Sequence, residues 1–168
     1  MKAKTVLVYG FGWWGSMNVN IAEKVVGGVA HFPGLDKQIL RVRFNEDQFL
    51  DMVQEHEYDY VLGMGRYPKG KKIRIEQHGF NRKKLKNTFS VIEAGGLDTY
   101  PVTWEIKPLE GMEVTDDPGA FVCNYSMYIL GKWANDHGVK YAFLHIPKDF
   151  SEERAIRIID TVLREQVT

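Results

Sequence analysis

The sequence predicts an α/β fold, a sandwich of helices around a mostly parallel sheet. Three observations carry this: short apolar runs such as the β-branched KTVLVYG and YDYVLGMG, helical stretches between them, and Gly or Pro punctuation at the junctions. Strands that alternate with helices pair in parallel and bury both faces. At 168 residues the chain fits one domain over 1–168, with length enough for an ordinary core. Hydrophobic residues make up 44% and charged residues 26%, the balance of a globular protein rather than a disordered one.

Taken in order, residues 4–10 read as a buried first strand and 18–26 as a helix stopped by Gly27 and Gly28. QILRVRF (38–44) alternates like a strand. Asn45 caps the next helix, with Glu46 and Asp47 in its first turn and Phe49, Leu50 and Val53 facing inward. A buried strand follows over 58–65 and an alternating one over 71–76. Between 81 and 118, FSVIEA and PVTWEI suggest short strands. A helix runs from Ala120 to about His137, then a buried strand over 140–146, ended by Pro147. Ser151 caps a last helix reaching about Glu165, with Glu152 and Glu153 in its first turn.

Twenty-two basic and 22 acidic residues cancel, which argues against a nucleic-acid partner. Nine of the basic residues crowd between Arg66 and Lys86, where Glu76 is the lone acid, a pattern typical of a solvated surface. No run approaches the roughly 18 apolar residues of a spanning helix, so no membrane partner is expected. One cysteine excludes an internal disulfide and suits the cytoplasm. One cysteine and scattered histidines supply no zinc spacing, so no metal site is expected.

Gly10, Gly12 and Gly15 spell G-x-G-x-x-G after the first strand. A dinucleotide site needs an acidic residue about 20 positions on, at the end of the second strand, and none stands there. Trp13 and Trp14 would also crowd backbone that must approach phosphate. The loop reads either as a tight strand-to-helix turn with packed indoles or as an apolar pocket for a flat uncharged group.

A free cysteine is ordinarily a buried, inert residue. Cys123 falls instead in the first turn of a predicted helix, where unpaired N–H groups favour thiolate and can hold an oxyanion. His145 lies near the C-terminal end of a core strand, and Glu76 ends the KKIRIE strand. Nucleophile, proton carrier and orienting carboxylate form a candidate cysteine-hydrolase set. Structural roles for all three remain the alternative at this point.

Four segments resemble the pyroglutamyl peptidase I family, the pyrrolidone carboxyl peptidases. VLVYGFGWWGSMNVN resembles its opening Gly-Phe-x-Pro-Phe-Gly loop, and IRIEQHGFN its Ile-x-x-Glu-Arg-x-Ala-x-Asn segment. GAFVCN resembles its Gly-Thr-Phe-Val-Cys-Asn motif, and FLHIP its Phe-x-His-x-Pro. The resemblance implies a three-layer α/β/α sandwich around a twisted mixed sheet. It implies cleavage of an amino-terminal pyroglutamyl group from a small peptide, without metal or cofactor. Cys123 would be the nucleophile, His145 general base and acid, and Glu76 its orienter. Phe11 and Trp14 would flank the pyrrolidone ring, with Phe121 and Val122 giving backbone contacts. Family members often form oligomers, so a homo-oligomer is a further expectation.

The match has departures. Trp13 replaces a family proline, Gln77 an arginine, and Lys86 another arginine. The chain is also several dozen residues shorter than the family's usual length. A related amidohydrolase acting on another small N-capped amide, a non-catalytic binding protein and a nucleotide-binding oxidoreductase are the competing functions.

Overall fold

The computed structural model describes residues 3–13 and 20–168. A six-stranded sheet lies at the centre. Strand β1 (Val6–Phe11) is buried along its whole length. It is flanked by β2 (Leu35–Leu40) and β3 (Tyr60–Tyr67), and β10 (Lys140–Pro147) lies beyond β3. These four strands are parallel. Next to β10 comes β4 (Ile73–Glu76), which runs antiparallel to it, and β9 (Met112–Thr115) forms the edge, parallel to β4. The sheet is therefore mixed, with its reversed pair on one side.

Alternation along the strands divides the core into two layers. Val6 and Val8 of β1, with Ala142, Leu144 and Ile146 of β10, meet α1 (Ile21–Gly28) and α4 (Glu152–Gln166). Leu7, Tyr9 and Phe11, with Tyr141 and Phe143, meet α2 (Glu46–Gln54) and α3 (Val122–His137) on the opposite face. This is the α/β/α sandwich that the sequence predicts.

The capping expectations hold for two helices. Asn45 accepts from the Gln48 N–H, and Ser151 accepts from the Arg154 N–H. On α2, Phe49 and Val53 are buried as expected, but Met52 takes the deep position and Leu50 is only half-buried.

Two expected strands move. β2 occupies 35–40 rather than 38–44, because β1 ends opposite Leu40 and leaves the following residues without a ladder partner. Val42 and Phe44 still pack on the core, so their alternation reports burial without pairing. PVTWEI gives only Pro101 to a strand, the end of a short one over 99–101, and the rest lies in no strand. Val102 packs in the α3-side layer whereas Trp104 and Ile106 pack in the other, as the segment crosses the sheet's lower edge beside Tyr141.

The stretch between β4 and β9 builds two small two-stranded sheets, a hairpin nested within an outer pair. β5 (His78–Phe80) pairs with β8 (Thr99–Pro101), and β6 (Lys83–Leu85) pairs with β7 (Thr88–Ser90). Lys86 sits at the tip of the second, exposed and left-handed at φ 57°. Asn124 of α3 ties this excursion down. Its amide donates to the Phe80 and Arg82 carbonyls at 2.9 and 2.8 Å, and its oxygen accepts from the Phe80 N–H at 2.8 Å. The approach is close enough to require glycine at 79, where any Cβ would overlap the α3 backbone at Met127 and Tyr128.

Gly79→Ala is therefore expected to destabilise the protein by about 1–3 kcal/mol, the usual cost of overpacking. Urea unfolding should show a lower midpoint with an unchanged slope. An unchanged midpoint would mean that β5 does not press on α3.

Candidate active site

Glu76 and His145 meet across the antiparallel seam of the sheet. In that ladder Phe143 stands opposite Glu76, and His145 opposite Arg74. Opposed residues share a face, as do residues two apart, so all four side chains point toward α3. The contact between His145 and Glu76 is the diagonal one: Nδ1 lies 2.9 Å from Oε1. This corrects one expectation. Because β4 is reversed, its C-terminal end is not the edge at which the parallel strands end, and Glu76 reaches the imidazole sideways.

The carboxylate is fully buried, at 0% exposure, and both of its oxygens have hydrogen-bond partners. Oε2 accepts from the Asp117 backbone N–H at 3.1 Å. Oε1 is shared between His145 and the Arg74 Nε, the latter 3.3 Å away. Burial pushes the Glu76 carboxyl up. The hydrogen bond and charge of His145, the charge of Arg74 and the Thr115 hydroxyl outweigh it, so the group stays below its ordinary value. An ionised carboxylate can only accept, which fixes the proton of the neutral imidazole on Nδ1 and leaves Nε2 with a free lone pair.

Cys123 is the second residue of α3 and half-buried. It settles against a bare stretch of β3. A methyl group at Gly65 would overlap the Cys123 Sγ and come within 3.4 Å of the His145 Cδ2. Sulfur and imidazole therefore flank one point, on one side of the sheet, the ring approaching it through Cδ2.

The start of α3 offers unpaired donors. Phe121 is its N-cap and makes no side-chain cap hydrogen bond, so the first N–H groups are not consumed by a side chain. A buried hydroxyl chain supports this turn from below. The Ser126 hydroxyl donates to the Cys123 carbonyl at 2.8 Å, and the Tyr9 hydroxyl lies 3.1 Å from Ser126 and 2.9 Å from that of Tyr141. A carbonyl only accepts, so the donors run from Tyr141 through Tyr9 to Ser126.

The thiol itself departs from expectation. Burial pushes Cys123 up from 9.0 to about 12, the negative charge of Glu76 adds to the rise, and a hydrogen bond from its own backbone opposes it. That hydrogen bond does not outweigh the rise, and the resting sulfur carries its proton.

The remaining predicted residues separate. Phe121 is 60% exposed beside the nucleophile, and Val122 is buried. Phe11 is 1% exposed, its ring edge-on to Tyr9 and Phe49, so it belongs to the core layer under α2 rather than to an open surface. Trp14, like Gly15, lies outside the described residues. Sequence reading missed Arg74, Thr115, Asp117 and Gly65. Only Arg74 left a signal, since period-two spacing puts it on the face of Glu76. A cleft of about 770 Å³, lined by Thr5, Tyr60, Trp133 and Lys140 among others, opens at the opposite edge of the sheet, where the parallel strands begin. Among the described residues, no helix is long and apolar enough to cross a membrane.

No family model matches the chain. A curated pyrrolidone-carboxylate peptidase of Staphylococcus aureus (strain Newman) is 26% identical, over 84% of this chain and 78% of its own length. At 26% identity the chain is thus similar in sequence to the pyrrolidone-carboxylate peptidases. Solved structures of that group share the fold. A mutant pyrrolidone carboxyl peptidase of Pyrococcus furiosus superposes with a TM-score of 0.85 at 18% identity, over 97% of this chain and 98% of that one. The pyroglutamyl peptidase I of Bacillus amyloliquefaciens gives 0.85 at 20% identity, with 95% of each chain covered. The pyrrolidone-carboxylate peptidase fold is thus retained at low identity.

Proton linkage has a definite sign for both groups. Between pH 9 and about 12 the folded thiol keeps a proton that the unfolded chain releases, so stability held by Cys123 is lost as pH rises through that window. The Glu76 contribution is present above pH 4.5 and is lost as pH falls below it. Urea unfolding of wild type and Cys123→Ala should diverge only above pH 9, with the wild type losing stability faster. At pH 8 the resting sulfur should react with iodoacetamide well below the rate of a free thiol. Parallel stability curves to pH 10.5 would contradict this.

Proposed function

We propose that this chain is a cysteine peptidase that removes an amino-terminal pyroglutamyl residue from small peptides. The observation that carries the proposal is the 2.9 Å contact of His145 with a buried Glu76, beside a point that the Cys123 sulfur shares. The chain's relationship to the pyrrolidone-carboxylate peptidases supplies the substrate.

The reaction follows from a protonated nucleophile. As the Cys123 sulfur attacks the carbonyl carbon of the scissile amide, His145 Nε2 takes the thiol proton. Glu76 stabilises the imidazolium that results. The carbonyl oxygen becomes an oxyanion, held by the uncapped N–H groups at the start of α3. Collapse breaks the C–N bond, and His145 returns the proton to the departing amine. The thioester that remains is attacked by water, whose proton again goes to His145. Breaking the C–S bond releases pyroglutamate and restores the thiol. Phe121 and Val122 contribute backbone contacts to the bound ring, and Trp14 an aromatic wall. A free thiol nucleophile fits the reducing cytoplasm.

A fluorogenic pyroglutamyl amide tests this between about pH 6 and 9, where a cysteine–histidine pair works. Cys123→Ala should lower kcat/KM by at least about a thousandfold, and Glu76→Gln by about a hundredfold through loss of the fixed tautomer. Equal rates for wild type and Cys123→Ala would overturn the proposal. Turnover confined to other acyl amides would instead indicate a related amidohydrolase.

A further inference from the structure

Arg74 has no part in the motif resemblance, yet it is the direct cross-strand neighbour of His145. The residue is buried, at 8% exposure, and its side chain is held from several sides. Nε donates to the Thr115 hydroxyl at 3.0 Å and lies 3.3 Å from the same Glu76 oxygen that His145 uses. Nη2 donates to the Asp117 carbonyl at 3.2 Å. The guanidinium lies 4.2 Å from the centre of the Tyr67 ring, and that ring stands 5.5 Å from the imidazole.

We infer that Arg74 is a positioning residue that keeps the resting Cys123–His145 pair uncharged, so that the sulfur gives up its proton only when a substrate carbonyl is there to receive the attack. The inference rests on the roles proposed above for Cys123, His145 and Glu76.

Charge counting gives the reason. With His145 neutral and the thiol protonated, Arg74 and Glu76 form a closed pair. Protonating the imidazole places a second cation on an oxygen that already serves one, inside a site with little water to screen them. The groups that face His145 are Glu76 and Arg74 from β4, Cys123 from α3 and Tyr67 from β3. Asp117 turns its backbone toward the site, while its carboxylate accepts from Arg82 at 3.4 Å. Among the described residues Glu76 is thus the acid directed at the imidazole, and Arg74 already balances it. The planar fork is also what spans Thr115, Asp117 and Glu76 together, which a lysine's point charge cannot do. Loss of the guanidinium would favour imidazolium and loosen the carboxylate that aims it.

The test follows the ring proton of His145 by NMR in wild type, Arg74→Gln and Arg74→Lys, each checked for folding by circular dichroism. The midpoint should rise by about one pH unit in Arg74→Gln and stay within about 0.3 unit of wild type in Arg74→Lys, which keeps the charge. On a pyroglutamyl amide, the acid limb of kcat/KM should move up with that midpoint in Arg74→Gln. Its kcat should fall about tenfold with KM within about twofold, the pattern of lost transition-state alignment. Arg74→Lys should keep the wild-type pH profile with kcat lowered about threefold. An unmoved midpoint in folded Arg74→Gln overturns the inference. Should that variant not fold, Arg74→Lys decides, and either full wild-type kcat or a midpoint raised by a whole unit overturns it. The titration needs no substrate, so it still reads Arg74 if the wild type proves inactive and the functional proposal fails.

Discussion

A carboxylate without solvent is the constraint around which this site is organised. An ion as buried as Glu76 costs several kcal/mol in lost hydration unless charges and hydrogen bonds replace the water. The fold supplies them from four directions: an imidazole from β10, a guanidinium from β4, and a hydroxyl and a backbone N–H from β9 and the turn after it. Each donor that stabilises Glu76 is itself fixed by doing so. The reversed pairing of β4 with β10 makes this possible, because it sets Arg74 and His145 face to face with Glu76 on the diagonal between them.

The same charge governs the nucleophile. A helix N-terminus stabilises an anion by about 0.3–1 kcal/mol, and up to about 2 in partly buried geometry. Burial and a nearby carboxylate act against the thiolate here, and together they exceed the backbone hydrogen bond that favours it. The sulfur therefore waits as a thiol, and proton transfer belongs to the reaction rather than to the resting state. That arrangement puts the burden on alignment, which the structure meets with bare backbone at Gly65, the Tyr141–Tyr9–Ser126 hydroxyl chain under the Cys123 carbonyl, and the Asn124 anchor one residue further along α3.

The two small sheets between β4 and β9 carry little apolar material of their own and depend on borrowed contacts. Asn81 closes the excursion by accepting from the Ile92 and Glu93 N–H groups and donating to the Glu93 carbonyl. Together with Asn124 it connects the segment after Glu76 to the helix that carries the nucleophile. Two asparagines thus do for this region what a hydrophobic core does for the sheet.

Local chemistry determined what the sequence could state by itself. Short apolar runs fixed β1, β3 and β10, caps at Asn45 and Ser151 fixed two helix starts, and the Cys-Asn and His-x-Pro segments pointed to the family. Where the pattern had two physical causes, it misled: alternation over 41–44 reflected packing without a partner strand, and that of PVTWEI a crossing between layers. Strand direction, the sharing of one Glu76 oxygen by an imidazole and a guanidinium, and the burial that keeps the thiol protonated were decided only in the tertiary structure. Those quantities depend on distances between residues far apart in the chain, such as 74, 76, 123 and 145, and no local spacing encodes them.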